Sequence, residues 1–188
     1  MNEGLERGWG IARLSAMFSG MLLALAVPTV LRGDMPAAVL AASVVLGGTL
    51  ALLCAHDVTA LRLPDALTLP LLGAGLAFAA AFGWGTPADR VLGAAAGFLS
   101  LTIVDEIYRR VRGRAGLGLG DAKLFAASGA WLGWQGLPAV LLWASGIAVL
   151  AVLVHRLMGG MTDAGTRIPF GPFLAAGTWL VWLYGGFG

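Results

Sequence analysis

The sequence predicts an all-α, polytopic membrane bundle of about seven transmembrane helices. Three observations carry that prediction. Of 188 residues, 59% are apolar and 12% are charged, with a mean hydropathy of +0.85. That is about half the charge a soluble domain carries, too little polar surface to coat a water-facing particle. The apolar residues gather in runs close to the ~20 residues a spanning helix needs. The basic residues fall unevenly among the segments that join those runs. The same composition excludes a disordered chain, which needs low hydrophobicity and high charge. Cys54 is the only cysteine, which excludes a disulfide-stapled module and a zinc site built from several thiolates.

The first run, Ala12–Leu31, follows a charged N-terminus as a signal peptide would. It is long for one and no clean small-x-small cleavage site follows, so a retained helix is the reading adopted. Ala37–His56 and Leu67–Trp84 come next, separated by the polar stretch His56–Ala66. Val91–Tyr108 is the fourth and runs into the basic stretch Arg109–Arg114. The fifth, Ala122–Trp134, is short, with Trp131 and Trp134 read as outer-interface anchors. Leu137–Leu157 and Phe170–Phe187 complete the set. Twenty-nine glycines and many alanines suit close helix packing in lipid. No fixed-period repeat, low-complexity tract or dividing linker occurs. The chain reads as one membrane domain over 1–188, with an extra N-terminal helix in 1–36 and a six-helix core in 37–188.

Threading seven helices with the N-terminus inside puts Arg7, Arg13, Arg62, Arg109, Arg110, Arg112, Arg114, Lys123, Arg156 and Arg167 on the inner side. Only Arg32 and Arg90 fall outside. This positive-inside bias predicts an N-terminus inside and a C-terminus outside. Arg109–Arg114 is then an anchor against anionic headgroups, and membrane lipid, not nucleic acid, is its expected partner.

Acidic residues are the source of chemistry. Glu3, Glu6, Asp34, Asp89 and Asp163 read as solvated loop charges. Asp57 closes the second helix after the apolar run Val44–Ala55, and Asp121 opens the fifth after Gly116-Leu117-Gly118-Leu119-Gly120. Both fall on the inner side. The fifth helix is shorter than the ~30 Å slab, so Asp121 is expected roughly 10 Å below the inner surface. A carboxylate there costs about 2.5–3.5 kcal/mol on insertion scales and marks a functional candidate. Gly116, Gly118 and Gly120 are expected to permit positive φ and a close turn, with a water-filled notch beside Asp121. The plain alternative is a glycine loop with Asp121 as an N-cap.

Two adjacent carboxylates cannot both ionise cheaply, so one keeps a proton. Such a pair activates water: the ionised member takes its proton, and the protonated member polarises the scissile carbonyl. The dipoles of their own helices suggest Asp121 as the ionised member and Asp57 as the proton holder. Asp65 reads as a cap or a charge at a helix start. Asp105 and Glu106 are spaced i,i+4 from Arg109 and Arg110 and read as ion pairs along one face. His56 and His155 read as interfacial. No metal-ligand spacing occurs, and Ser100, Ser128 and Ser145 lack a His or Lys at plausible depth for a serine nucleophile. The chemistry calls for no cofactor and no metal.

Three runs then resemble a known family. Asp57-Val-Thr-Ala-Leu-Arg-Leu-Pro64-Asp65-Ala-Leu-Thr68-Leu-Pro70 is similar to the first signature of type IV prepilin leader peptidases. Gly116-Leu-Gly118-Leu-Gly120-Asp121-Ala-Lys123-Leu, with Gly129-Ala-Trp131-Leu-Gly133-Trp134, resembles the second, the GxGD box. Ile168-Pro169-Phe170-Gly171-Pro172 resembles the start of the final helix. The similarity covers roughly residues 40–187. It implies a membrane aspartic endopeptidase with Asp57 and Asp121 as the catalytic pair, and Gly118 and Gly120 as motif support. Asp65 matches a family acid outside that pair. The implied partner is a prepilin or pseudopilin with a basic leader and an apolar helix. The implied location is the bacterial inner membrane, with cleavage on the cytoplasmic side for type IV pili or protein secretion. No oligomeric state is implied.

Two features depart from the family. Bifunctional members carry a further helix and a domain with paired CxxC motifs, and methylate the new N-terminus. Here about a dozen residues precede the first predicted helix and CxxC is absent. The chain therefore resembles a peptidase-only member, of the kind serving Flp-type pili or tight-adherence systems, or the core of a longer chain. Asp105-Glu106 stand where the family is mostly apolar or aromatic. The alternative function is a transporter or proton relay with buried carboxylates. It predicts acids spread over several depths, whereas the two deepest candidates lie on one side. A third reading, an inactive assembly scaffold, is disfavoured by intact Asp57 and Asp121.

Overall fold

The computed structural model describes residues 36–113, 116–158 and 169–184, together with Gly20. Apart from Gly20, the first predicted helix, Ala12–Leu31, lies outside the described residues, as do Glu3, Glu6, Asp34 and Asp163. Six helices occupy the rest: α1 (Ala37–Ala60), α2 (Asp65–Phe82), α3 (Pro87–Arg112), α4 (Leu119–Leu132), α5 (Leu137–Leu157) and α6 (Gly171–Tyr184). A 3₁₀ turn, Trp134–Gly136, joins α4 to α5. No strand occurs among the described residues.

Local chemistry sets the ends, which differ from the apolar runs by a few residues. α1 continues past His56 because nothing breaks it before Leu61, which takes the left-handed φ of 50° and leads into Pro64. α2 starts directly after Pro64 and stops at Gly83, φ 64°. α3 begins earlier than its apolar run. Thr86 caps it by accepting from Asp89 N at 3.1 Å, and Pro87 fits the first turn, where no N–H is needed. It runs on to Arg112 through the pairs Arg109–Asp105 (2.6 Å) and Arg110–Glu106 (2.8 Å), and Gly113 ends it. Asp89 is thus a first-turn residue of a helix, not a loop charge, and its Oδ1 accepts from Trp134 Nε1 at 3.0 Å.

α4 is the centre of the bundle. It packs against α2, α3, α5 and α6, and every residue from Leu124 to Trp131 is buried. A helix apolar on all sides belongs in an interior. α3 approaches it at backbone distance: a Cβ on Gly93 would lie 2.5 Å from Gly129 O, and one on Gly97 would lie 2.5 Å from Phe125 O. Small residues give this closeness where the surroundings offer no hydrophobic drive between helices. α6 is likewise enclosed, against α1, α4 and α5.

Among the described residues, four helices are long and apolar enough to cross a membrane: Ala37–Ala60, Asp65–Phe82, Pro87–Arg112 and, with its leading turn, Trp134–Leu157. They turn Val44, Leu92, Leu142 and Leu153 outward. Such apolar exposure fits lipid, and the chain is a multi-pass membrane protein. α4 and α6 have 14 residues each, or about 21 Å at 1.5 Å per residue, short of the ~30 Å slab.

One expected surface role is corrected. Trp131 is no interface anchor; it is buried, donates from Nε1 to Leu71 O at 2.8 Å, and stacks on Phe78 with Trp182 at its edge. A large ring with one donor is held inside when a carbonyl meets that donor. Trp134, by contrast, is exposed. Arg90 is buried too, donating to the carbonyls of Trp84 and Trp131 and so closing the end of α4.

Candidate active site

Asp57 and Asp121 are the only buried acids among the described residues. Asp57 stands in the last turn of α1. Its Oδ2 accepts from Gly171 N, at the start of α6, at 3.0 Å. This joins residues far apart in sequence and gives an otherwise unpaired helix-start N–H its acceptor. A Cβ on Gly171 would sit 2.7 Å from that oxygen, so glycine is required there.

Asp121 is the third residue of α4, not its N-cap. Gly118 is the N-cap, and Asp121 Oδ2 reaches back to accept from Gly118 N at 3.3 Å. The two carboxylates act on one another electrostatically. Leu63 lies between their supports: its Cβ would lie 2.9 Å from a Cβ on Gly120, and its Cδ1 3.3 Å from one on Gly171. The structure thus brings together the two acids that the sequence placed on separate helices.

The role expected of the glycines changes. Gly118 has φ −80°, and none of Gly116, Gly118 and Gly120 is among the residues of positive φ. Gly116 and Gly120 serve instead to let Tyr108 and Leu63 approach, which a side chain would block at 2.6 and 2.9 Å. The dipole argument changes as well. Asp57 ends one helix but faces the N-terminus of another, while Asp121 faces that of its own, so both carboxylates meet positive helix ends. Helix dipoles therefore do not decide which of them holds a proton.

Asp65 is the first residue of α2, and its Oδ1 accepts from Lys123 Nζ at 2.6 Å. This bond ties the start of α2 to the first turns of α4, beside Asp121. Asp105 and Glu106 make the expected pairs with Arg109 and Arg110, and Asp105 also binds the backbone of Gly116 and Leu117. Sequence reasoning missed the Gly171, Leu63, Lys123 and Asp105 loop contacts. For Gly171 a signal existed in the glycine between Phe170 and Pro172; the others join elements with no periodic spacing. No group of three metal-ligating residues occurs among the described residues.

The family of type IV leader peptidases matches residues 44–154, which include both acids. The chain belongs to the type IV leader peptidase family. Similar curated proteins bear the name prepilin leader peptidase/N-methyltransferase. The one from Aeromonas hydrophila is 41% identical over 150 residues, covering 77% of this chain and 49% of the relative. That from Pseudomonas aeruginosa is 46% identical over 125 residues (65% and 42%). That from Burkholderia pseudomallei is 48% identical over 118 residues (61% and 37%). The chain thus spans about half the length or less of these leader peptidase relatives. No solved structure matches it.

Proposed function

We propose that this chain is an aspartic endopeptidase that removes the basic leader from prepilin or pseudopilin precursors, with Asp57 and Asp121 as its catalytic pair. The observation that carries the reading is that two buried acids from separate helices, each held by a backbone N–H at a helix start, converge on Leu63 through the glycines beside them. One carboxylate, ionised, takes a proton from water. The other, protonated, hydrogen-bonds the scissile carbonyl oxygen as the water oxygen attacks its carbon. Collapse of the tetrahedral intermediate breaks the C–N bond and returns a proton to the leaving amine. No cofactor enters these steps.

Family membership supports the substrate class, and the short α4 and α6 support a site recessed from the membrane surface. Arg62, Arg109, Arg110, Arg112 and Lys123 lie at the helix ends that carry the acids, whereas Arg90 caps the opposite end of α4. That distribution supports an inner-membrane topology with the N-terminus inside, the C-terminus outside and the site at the cytoplasmic face. Ion transport through buried carboxylates is less well supported, because no third buried acid extends a path among the described residues. The test is cleavage of a prepilin by the purified protein, compared with Asp57→Asn and Asp121→Asn. Loss of cleavage in both, with the fold retained, is expected; full cleavage by both refutes the proposal.

A further inference from the structure

Gly116, Leu117 and Gly118 offer three successive backbone N–H groups just ahead of α4. Two carboxylates divide them. Gly116 N and Leu117 N both donate to Asp105 Oδ1, each at 2.9 Å, and Gly118 N donates to Asp121 Oδ2 at 3.3 Å. The second oxygen of Asp105 accepts from Arg109 Nη2 at 2.6 Å. An ordinary ion pair on a helix face would leave the loop untouched. Here the Asp105 side chain is only 14% exposed while Arg109 is 56% exposed, because the loop folds over the carboxylate. Tyr108 packs beneath the same stretch, where a Cβ on Gly116 would meet its ring at 2.6 Å. The neighbouring Glu106 pairs with Arg110.

We infer that Asp105 is a positioning residue for the hydrolysis: it pins Gly116 and Leu117 onto α3 and thereby keeps the Gly118 N–H aimed at Asp121. The inference rests on the proposed catalytic role of Asp121. N–H bonds to a carboxylate are among the stronger hydrogen bonds in proteins. Without that carboxylate, two N–H groups lose their acceptor and the segment lifts from α3. The peptide unit that carries the Gly118 N–H moves with it. Displacement of about 1 Å in a reacting constellation costs on the order of 100-fold in rate.

The experiment uses the full chain in detergent micelles with a prepilin substrate, measuring kcat, KM and the thermal midpoint. The variants are Asp105→Ala, Asp105→Ser, Asp105→Asn and Glu106→Gln, with Asp57→Asn and Asp121→Asn as references. Asp105→Ala is expected to lower kcat by roughly tenfold or more, with KM within about twofold. Asp105→Ser, too short to meet both amides, shows the same pattern and carries the test should the alanine variant not accumulate. Asp105→Asn keeps a carbonyl oxygen at the same place and restores most of kcat, and Glu106→Gln matches wild type. Wild-type kcat in the alanine or serine variant overturns the inference. So does an equal loss in the asparagine variant accompanied by a raised KM and a lowered thermal midpoint, which marks a purely structural role. If Asp57→Asn and Asp121→Asn cleave normally, the underlying catalytic reading fails instead, and the two failures are told apart.

Discussion

Replacing Gly171 by alanine places one methyl group against the candidate catalytic pair. The new Cβ would lie 2.7 Å from Asp57 Oδ2, 3.1 Å from its Cγ and 3.3 Å from Leu63 Cδ1. All three are closer than ordinary contact, which begins at 3.4 Å. Neither neighbour yields easily, because Asp57 and Leu63 are themselves buried. The start of α6 must therefore retreat by several tenths of an ångström, or the carboxylate must turn. Either movement stretches the 3.0 Å bond from Gly171 N. Overpacking of this kind costs about 1–3 kcal/mol, and weakening the hydrogen bond adds about 1 kcal/mol. Misplacing Asp57 lowers kcat by on the order of 10- to 100-fold. Gly146→Ala is the matched control, since a Cβ there meets nothing within 4 Å and favours the helix by about 0.5–1 kcal/mol. The assay is prepilin cleavage in detergent alongside thermal denaturation of both variants. Wild-type kcat and thermal midpoint in Gly171→Ala would show that α6 does not fix Asp57, and the reasoning would fail.

Other expectations follow from the same geometry. The pH–rate profile of kcat should be bell-shaped, because the proposed mechanism needs one carboxylate ionised while its partner keeps a proton; a rate that stays flat across the carboxylate range would contradict a shared proton. Asp65→Lys or Lys123→Asp alone should cost about 0.2–1 kcal/mol, since the pair is partly exposed, and the double exchange should recover part of that loss in a double-mutant cycle. Trp131→Phe removes the bond to Leu71 O and should lower stability by about 1 kcal/mol. Gly93→Val drives a side chain into the backbone of α4 at 2.5 Å; accumulation of folded protein in membranes should fall sharply, and wild-type levels would disprove the close α3–α4 approach.

Much of this was readable from residues alone, and physics explains where reading stopped. Helices announce themselves by apolar length, so α1 to α6 coincide with six of the predicted runs. Their ends differ from those runs because the Thr86 side-chain cap and the left-handed turns at Gly83 and Gly113 are local features that hydropathy does not register. Asp57 and Asp121 stood out because acids are rare beside apolar runs. Their supports did not, because Gly171 and Leu63 reach the acids through tertiary packing. Trp131 differs from its expected place for a similar reason. An aromatic ring near a helix end suits an interface or an interior equally, and only Phe78, Trp182 and the Leu71 carbonyl decide between them. For Asp105 the sequence shows only the i,i+4 partner on its own helix, while its second allegiance crosses to a loop.

The division of three consecutive amides between two carboxylates makes chain length itself a constraint. A residue inserted between Leu117 and Gly118 would carry one N–H away from Asp105 or turn the next away from Asp121, and a deletion would leave one of the three contacts without its donor. Substitutions in this stretch can be weighed one side chain at a time. Changes of register act on both ends at once, so altered length should disrupt the segment even where every side chain is kept.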